Sequence, residues 1–236
     1  MNFSLKRKFQ SIDNYKKSKI IKNNENDDND DTDEHDDSKN KSSVKNNDIY
    51  IIDNHLHFHS DITNEAIDIV KRLMRDYYLS FLELQKKNTI YNLQIKPLYF
   101  HINSFGGSVY AGLILYDFML EYKKNVPIYT VVEGIVASAA TFFSIVGTKR
   151  FISPNAYMLI HQLSTFIGGN YEQIRDDFHN TEKMMTQIVD IYVKHTKLTK
   201  KKIQEILKHD INWDACECLK NGLIDEIKLI DVFNEL

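Results

Sequence analysis

Little in this chain points to an oxidising compartment, a membrane or a polyanion. Cysteine occurs twice in 236 residues, at Cys216 and Cys218. Two positions apart in a short helical pattern, with no second pair to complete a metal set, they exclude a disulfide framework and read as reduced, structural thiols. No apolar run approaches the roughly 18 to 20 residues of a membrane span. The basic N-terminus has no apolar stretch behind it to act as a secretory signal. Net charge is also small, a formal −3, which gives no general attraction to nucleic acid or anionic membrane. The expectation is a cytoplasmic protein with neither nucleic acid nor membrane as partner.

What is present is enough for one good core: 42% of residues are hydrophobic and 11% aromatic. A composition break falls near residue 47. Before it, Met1 to Ile21 is basic and polar, and Glu25 to Asp37 carries nine carboxylates in thirteen residues. Such a segment buries too little surface to offset the entropy of ordering it, so residues 1–47 are expected to be a disordered charged tail. Early acidic residues argue against a transit peptide. Residues 48–236 are expected to form one domain.

Within that domain short apolar runs alternate with helical periodicity, the sign of βα crossovers and a largely parallel sheet. Strands are expected at Ile51–His59, Pro97–Asn103, Ile128–Glu133, Arg150–Ser153, Tyr157–Ile160 and Leu223–Leu229. Helices are expected at Thr63–Gln85, from the Gly106-Gly107 turn to Tyr122, at Ala137–Val146 and Tyr171–His195, after a Thr199 cap, and at Trp213–Lys220. The first helix places Ala66, Ile69, Val70, Leu73, Met74 and Tyr77 on one side.

Three features on successive crossovers suggest chemistry. The Gly106-Gly107 turn at a strand end can present backbone N–H groups to an anion, because glycine lacks the Cβ that would block approach. Ser138, in Gly134-Ile135-Val136-Ala137-Ser138-Ala139-Ala140, is expected to open a helix, near the positive end of its dipole. His161 ends a strand beside the crossover loops. Singly, each has a plain reading: a turn, a first-turn serine, a satisfied histidine. Together and in this order they fit a hydroxyl nucleophile, its imidazole base and a backbone oxyanion site.

These stretches resemble the Clp protease proteolytic subunit family. The matching segments are Ile102-Asn103-Ser104-Phe105-Gly106-Gly107-Ser108-Val109, Ala111-Gly112 through Tyr116-Asp117, the Ser138 segment, Phe151 with Pro154-Asn155, Met158-Leu159-Ile160-His161-Gln162, and Asn221-Gly222-Leu223-Ile224-Asp225. The resemblance spans roughly residues 50 to 230. It implies an α/β crotonase-like ββα superhelix with a helical handle arm, here Gly168 to His195. It implies a serine endopeptidase acting on unfolded polypeptide, with Ser138 as nucleophile, His161 as general base and Asp210 orienting the imidazole. The oxyanion hole falls on the N–H groups of Gly107 and Ala139. Asp214 is a rival for the orienting role. The resemblance further implies a homo-oligomer of two heptameric rings, a tetradecamer, served by a Clp-type AAA+ ATPase, with no metal and no other cofactor.

The sequence departs from the family pattern in places. Leu163 stands where a proline usually follows His161-Gln162, and Ser164-Thr165-Phe166 replaces a glycine-rich substrate-binding stretch. His209 replaces an arginine, and His101 replaces an aromatic residue of the ATPase docking pocket. Viral capsid-maturation peptidases share the same motifs. An inactive ring subunit, or a crotonase-type acyl-CoA enzyme that holds a thioester oxyanion, are the other readings. His55, His57 and His59 share one face of a strand, which could suggest a metal, but the opposite face is core and no acidic ligand is evident, so a solvated or interface-facing strand is expected. Trp213, Tyr77 and Tyr78 read as packing groups.

Overall fold

The computed structural model describes residues 48–88 and 93–230; the proposed tail at 1–47 lies outside them. Alternating β-rich and helical segments build a seven-stranded sheet with helices packed against it. In chain order the elements are β1 (Ile49–Ile52), β2 (His55–Phe58), α1 (Asn64–Lys87), β3 (Leu98–Ser104), α2 (Val109–Tyr122), β4 (Ile128–Ala137), α3 (Ala140–Ser144), β5 (Lys149–Ile152), β6 (Tyr157–Leu159), α4 (Tyr171–His195), α5 (Lys200–Ile206), α6 (Ala215–Asn221) and β7 (Glu226–Ile227). The strand order is β1-β2-β3-β4-β5-β7, with β6 also on β4. Only β1 and β2 pair antiparallel; the other pairs are parallel, as strands joined by helical crossovers must be. This is the α/β architecture expected.

Several boundaries differ, each for a local reason. The single strand expected at Ile51–His59 is instead a hairpin, turned at Asp53-Asn54 with Asp53 at φ 52°. Aspartate tolerates this left-handed conformation better than most residues. Strand β4 runs four residues beyond Glu133. Gly134, at φ 58°, kinks it, so that Tyr129–Val132 pair with β5 and Ile135–Ala137 with β6. The Asn103 side chain fills the kink and accepts the Ile135 N–H at 3.2 Å. One central strand thus serves two neighbours. The helix expected at Ala137–Val146 shrinks to Ala140–Ser144 because Ala137 stays in β4. The closing strand contracts to Glu226–Ile227, while Leu223 and Ile224 sink into the core.

The helices follow their sequence signals more closely. Thr63 caps α1, its hydroxyl accepting the Ala66 N–H at 3.1 Å. Ala66, Val70 and Met74 are buried as expected, with Ile69, Leu73 and Tyr77 packed at the edge, and Ile67 joins them inside. Asn170 and Gln173 form a reciprocal capping box that starts α4. Cys218 is buried, and burial pushes its thiol up to about 12, so it packs as an inert apolar group; Cys216 is exposed. Trp213 lies against the core and exchanges both backbone hydrogen bonds with Met158. No helix among the described residues is long and apolar enough to cross a membrane.

Candidate active site

Ser138 does not open a helix, as the sequence suggests. It occupies the corner between β4 and α3 at φ 55°, a left-handed conformation that costs a non-glycine residue about 1–3 kcal/mol. Neighbours hold the corner in place. The Ser138 N–H donates to the Leu159 carbonyl of β6 at 2.9 Å, and the Ser138 carbonyl accepts the Thr141 N–H at 3.0 Å and the Thr141 hydroxyl at 2.6 Å. Thr141 Oγ1 in turn accepts from the Tyr192 hydroxyl of α4, also 2.6 Å away. Burial pushes the Tyr192 hydroxyl well above its usual range, so it remains a protonated donor. Sequence reading misses Thr141 and Tyr192, because nothing in a linear pattern links positions 51 residues apart.

The two-glycine turn meets this corner face on. Gly106 has φ 103°, and a Cβ there would lie 2.6 Å from Ser138 Cβ and 2.9 Å from the Ala137 carbonyl oxygen. Gly107 has φ 143°, and its Cβ would lie 2.5 Å from the Ile62 carbonyl oxygen. Two bonds to Ile62 fix the turn: the Ile62 N–H donates to the Gly106 carbonyl, and the Ser108 N–H donates to the Ile62 carbonyl. Among the described residues, neither the Gly107 N–H nor the Ala139 N–H donates to a protein acceptor. Ala139 is buried, where an unused donor is uncommon, while the Gly107 N–H is open to solvent; both are free to receive an oxyanion.

His161 follows β6 at the mouth of the same cavity. The cavity, of about 110 Å³, is lined by Gly107, Val109, Ser138, His161 and Leu163, with Tyr192 behind them. Among the described residues no hydrogen bond joins the Ser138 hydroxyl to the imidazole. His161 Nδ1 lies 3.2 Å from Asp210 Oδ1, with side-chain exposures of 24% and 76%. The other carboxylate, Asp214, is committed elsewhere: it caps α6, accepting the Glu217 N–H at 2.8 Å, while Glu217 accepts the Asp214 N–H at 3.1 Å. Of the two carboxylates considered, the structure brings only Asp210 to the imidazole.

A hydroxyl, an imidazole and the Gly107 backbone around one cavity, with the unused Ala139 N–H next in the chain to Ser138, are the parts of an acyl-transfer site. The family model for Clp protease matches residues 65–230. The chain belongs to the Clp protease family. Its sequence is 32% identical over 175 residues to the ATP-dependent Clp protease proteolytic subunit of Deinococcus radiodurans, covering 69% of this chain and 85% of that relative. It is 39% identical over 139 residues to the corresponding subunit of Streptococcus mutans, covering 56% and 68%. It is also 35% identical over 134 residues to the ATP-dependent Clp protease proteolytic subunit 1 of Streptomyces coelicolor, covering 56% and 60%. Membership of the family places the chain among serine-type peptidases, hydrolases that work as oligomers with Clp ATPases.

Proposed function

We propose that this chain is the proteolytic subunit of a Clp-type peptidase, cleaving unfolded polypeptide by acyl transfer at Ser138. The observation that carries the reading is the convergence of Ser138, His161 and Gly107 on one cavity, with Asp210 at the far ring nitrogen. His161 Nε2 removes the Ser138 proton as the oxygen attacks the scissile carbonyl, and the imidazolium then protonates the leaving amine. Asp210, 3.2 Å from Nδ1, is placed to take up its hydrogen bond in the working geometry and so to favour the tautomer that leaves Nε2 free to act as base. Serine–histidine contacts are often long without substrate and tighten when it binds. The N–H groups of Gly107 and Ala139 receive the oxyanion, each donor contributing about 3 kcal/mol. Water then repeats the sequence on the acyl-enzyme.

The arm supports assembly. The first half of α4 is exposed and carries Tyr171, Ile174 and Phe178 along one side, with Phe166 fully exposed just before it. Apolar side chains repeated at helical spacing on an open surface support burial against another subunit. The proposed assembly is a pair of heptameric rings in the cytoplasm, enclosing the serines and fed by a Clp-type AAA+ ATPase. A fluorophosphonate or β-lactone probe, followed by peptide mapping, tests the nucleophile. Labelling is expected on Ser138 in wild type and absent in Ser138→Ala and His161→Ala; an unlabelled Ser138 beside a labelled control peptidase refutes the assignment. Native mass measurement tests the ring count.

A further inference from the structure

Among the described residues, a group of candidate metal ligands lies where β2, β3 and β4 run side by side. Parallel register sets His57 opposite His101, and His101 opposite Val131, so that Glu133, two residues further along β4, shares their face. His55 and His59 flank His57 on the same side of β2. The sequence reading found no acid for these histidines; the fold supplies Glu133. On the strand expected to be solvated or interface-facing, His55 is buried, His57 half-buried and His59 exposed, and His101 of β3 is buried beside them.

The contacts are specific. His101, fully buried, places Nδ1 at 2.7 Å from Glu133 Oε1 and Nε2 at 2.9 Å from His55 Nδ1. His57 is stacked between Tyr50 and His101, with ring centroids 4.7 and 4.5 Å away. Burial would push the Glu133 carboxyl up, but the His101 hydrogen bond and the surrounding imidazoles hold it below its usual value, so it is ionised. Nothing in the acyl-transfer mechanism uses any of these groups.

We propose that His57, His101 and Glu133 form a binding site for one zinc-class divalent cation. Their ligand atoms all lie within 4.8 Å of one another, and zinc bonds of about 2.0–2.1 Å hold tetrahedral ligands roughly 3.3 Å apart. The ligand atoms must therefore close by up to about 1.5 Å, and the half-buried His57 ring must turn out of its stack on His101, because an imidazole binds a cation in its own plane. The cation replaces the proton shared by His101 Nδ1 and Glu133 Oε1, whose 2.7 Å separation widens by about 0.6 Å to admit it. With Nδ1 bound, His101 Nε2–H donates to His55 Nδ1, the outer hydrogen bond that typically orients a metal-bound imidazole. Two neutral imidazoles and one carboxylate suit zinc or a neighbouring first-row ion more than magnesium or calcium. The Glu133 and His59 side chains are 35% and 38% exposed, which leaves an entry path and room for a water ligand.

Cobalt(II) is the probe, because its visible bands report coordination. Titration of the full-length chain is expected to show one saturable site per chain with the strong absorption of low-coordinate cobalt, displaced by zinc. Glu133→Gln, isosteric and half-exposed, and His57→Ala are each expected to weaken binding by at least ~100-fold with the fold intact by circular dichroism. His55→Ala is expected to weaken it by about 10- to 100-fold. The proposal is overturned if wild type shows no such spectrum. It is equally overturned if the site survives unchanged in Glu133→Gln, since the metal then sits elsewhere, for instance on the carboxylates of residues 25–37.

Discussion

Replacing Gly106 by alanine tests the active-site geometry without removing any proposed catalytic group. A Cβ at position 106 would meet Ser138 Cβ at 2.6 Å, whereas carbon atoms pack at about 3.5–4.0 Å. The Ser138 corner or the glycine turn must therefore yield by about 1 Å. The turn cannot easily move away, because the Gly106 carbonyl and the Ser108 N–H are both bonded to Ile62. The Ser138 corner is held by its own bonds to Leu159 and Thr141, so whichever side yields, the nucleophile is displaced relative to the Gly107 N–H. An ångström of misplacement costs on the order of 10²-fold in rate. The residue would also hold φ near +103°, which with the clash costs roughly 2–4 kcal/mol of stability. The assay is kcat/KM on a fluorogenic peptide at a temperature where circular dichroism shows the variant folded, alongside the rate of covalent labelling of Ser138. Both rates should fall together by about 100-fold. A folded Gly106→Ala variant within threefold of wild type in both would refute the geometry.

Further outcomes follow from other contacts. Asp210→Asn should lower kcat by about 10² or more by presenting the wrong tautomer. Asp214→Asn should keep activity and lose about 1 kcal/mol or less of stability as the α6 cap weakens, and the reverse pattern would exchange their roles. Arg150 donates from Nη1 to the carbonyls of His195 and Gly222 and forms an ion pair with Asp225, tying β5 to the ends of α4 and α6. Arg150→Ala should therefore cost about 2–4 kcal/mol in denaturant melts, and Arg150→Lys should recover only part. Burial, reinforced by Lys123, Lys194 and Arg150, pushes His195 down to about 4, and its Nε2 accepts the Tyr116 hydroxyl at 2.8 Å. The unfolded chain therefore binds the extra proton first, and stability falls as pH drops from about 6.5 to 4. His195→Gln should flatten that part of a melting-temperature profile, and an unchanged slope would refute the assignment.

The parts of the site that could be read from sequence are those carried by local chemistry. Ser138, His161 and the glycine pair sit in short segments whose residue types are unusual for plain packing, and the caps of α1 and α5 at Thr63 and Thr199 lie within three residues of the groups they bind. The capping box at Asp214 and Glu217 was equally local, and it would have separated Asp214 from Asp210. What could not be read depends on which strands become neighbours. Hydrophobic periodicity shows that β2, β3 and β4 are buried strands, but not that parallel register sets His57 against His101 and brings Glu133 to both. The same holds for Tyr192 and Thr141. The kink at Gly134 hid for a different reason: an isolated glycine in an apolar run signals a bulge only once two partners compete for the strand.

Helix α4 spans 25 residues, a stiff rod of about 37 Å. Its open end reaches into solvent, while Tyr192, near the other end, is tethered through Thr141 to the carbonyl of Ser138. In the proposed assembly, a subunit docked on that tip would press on one end of a rod whose other end is hydrogen-bonded, through Thr141, to the backbone of the nucleophile.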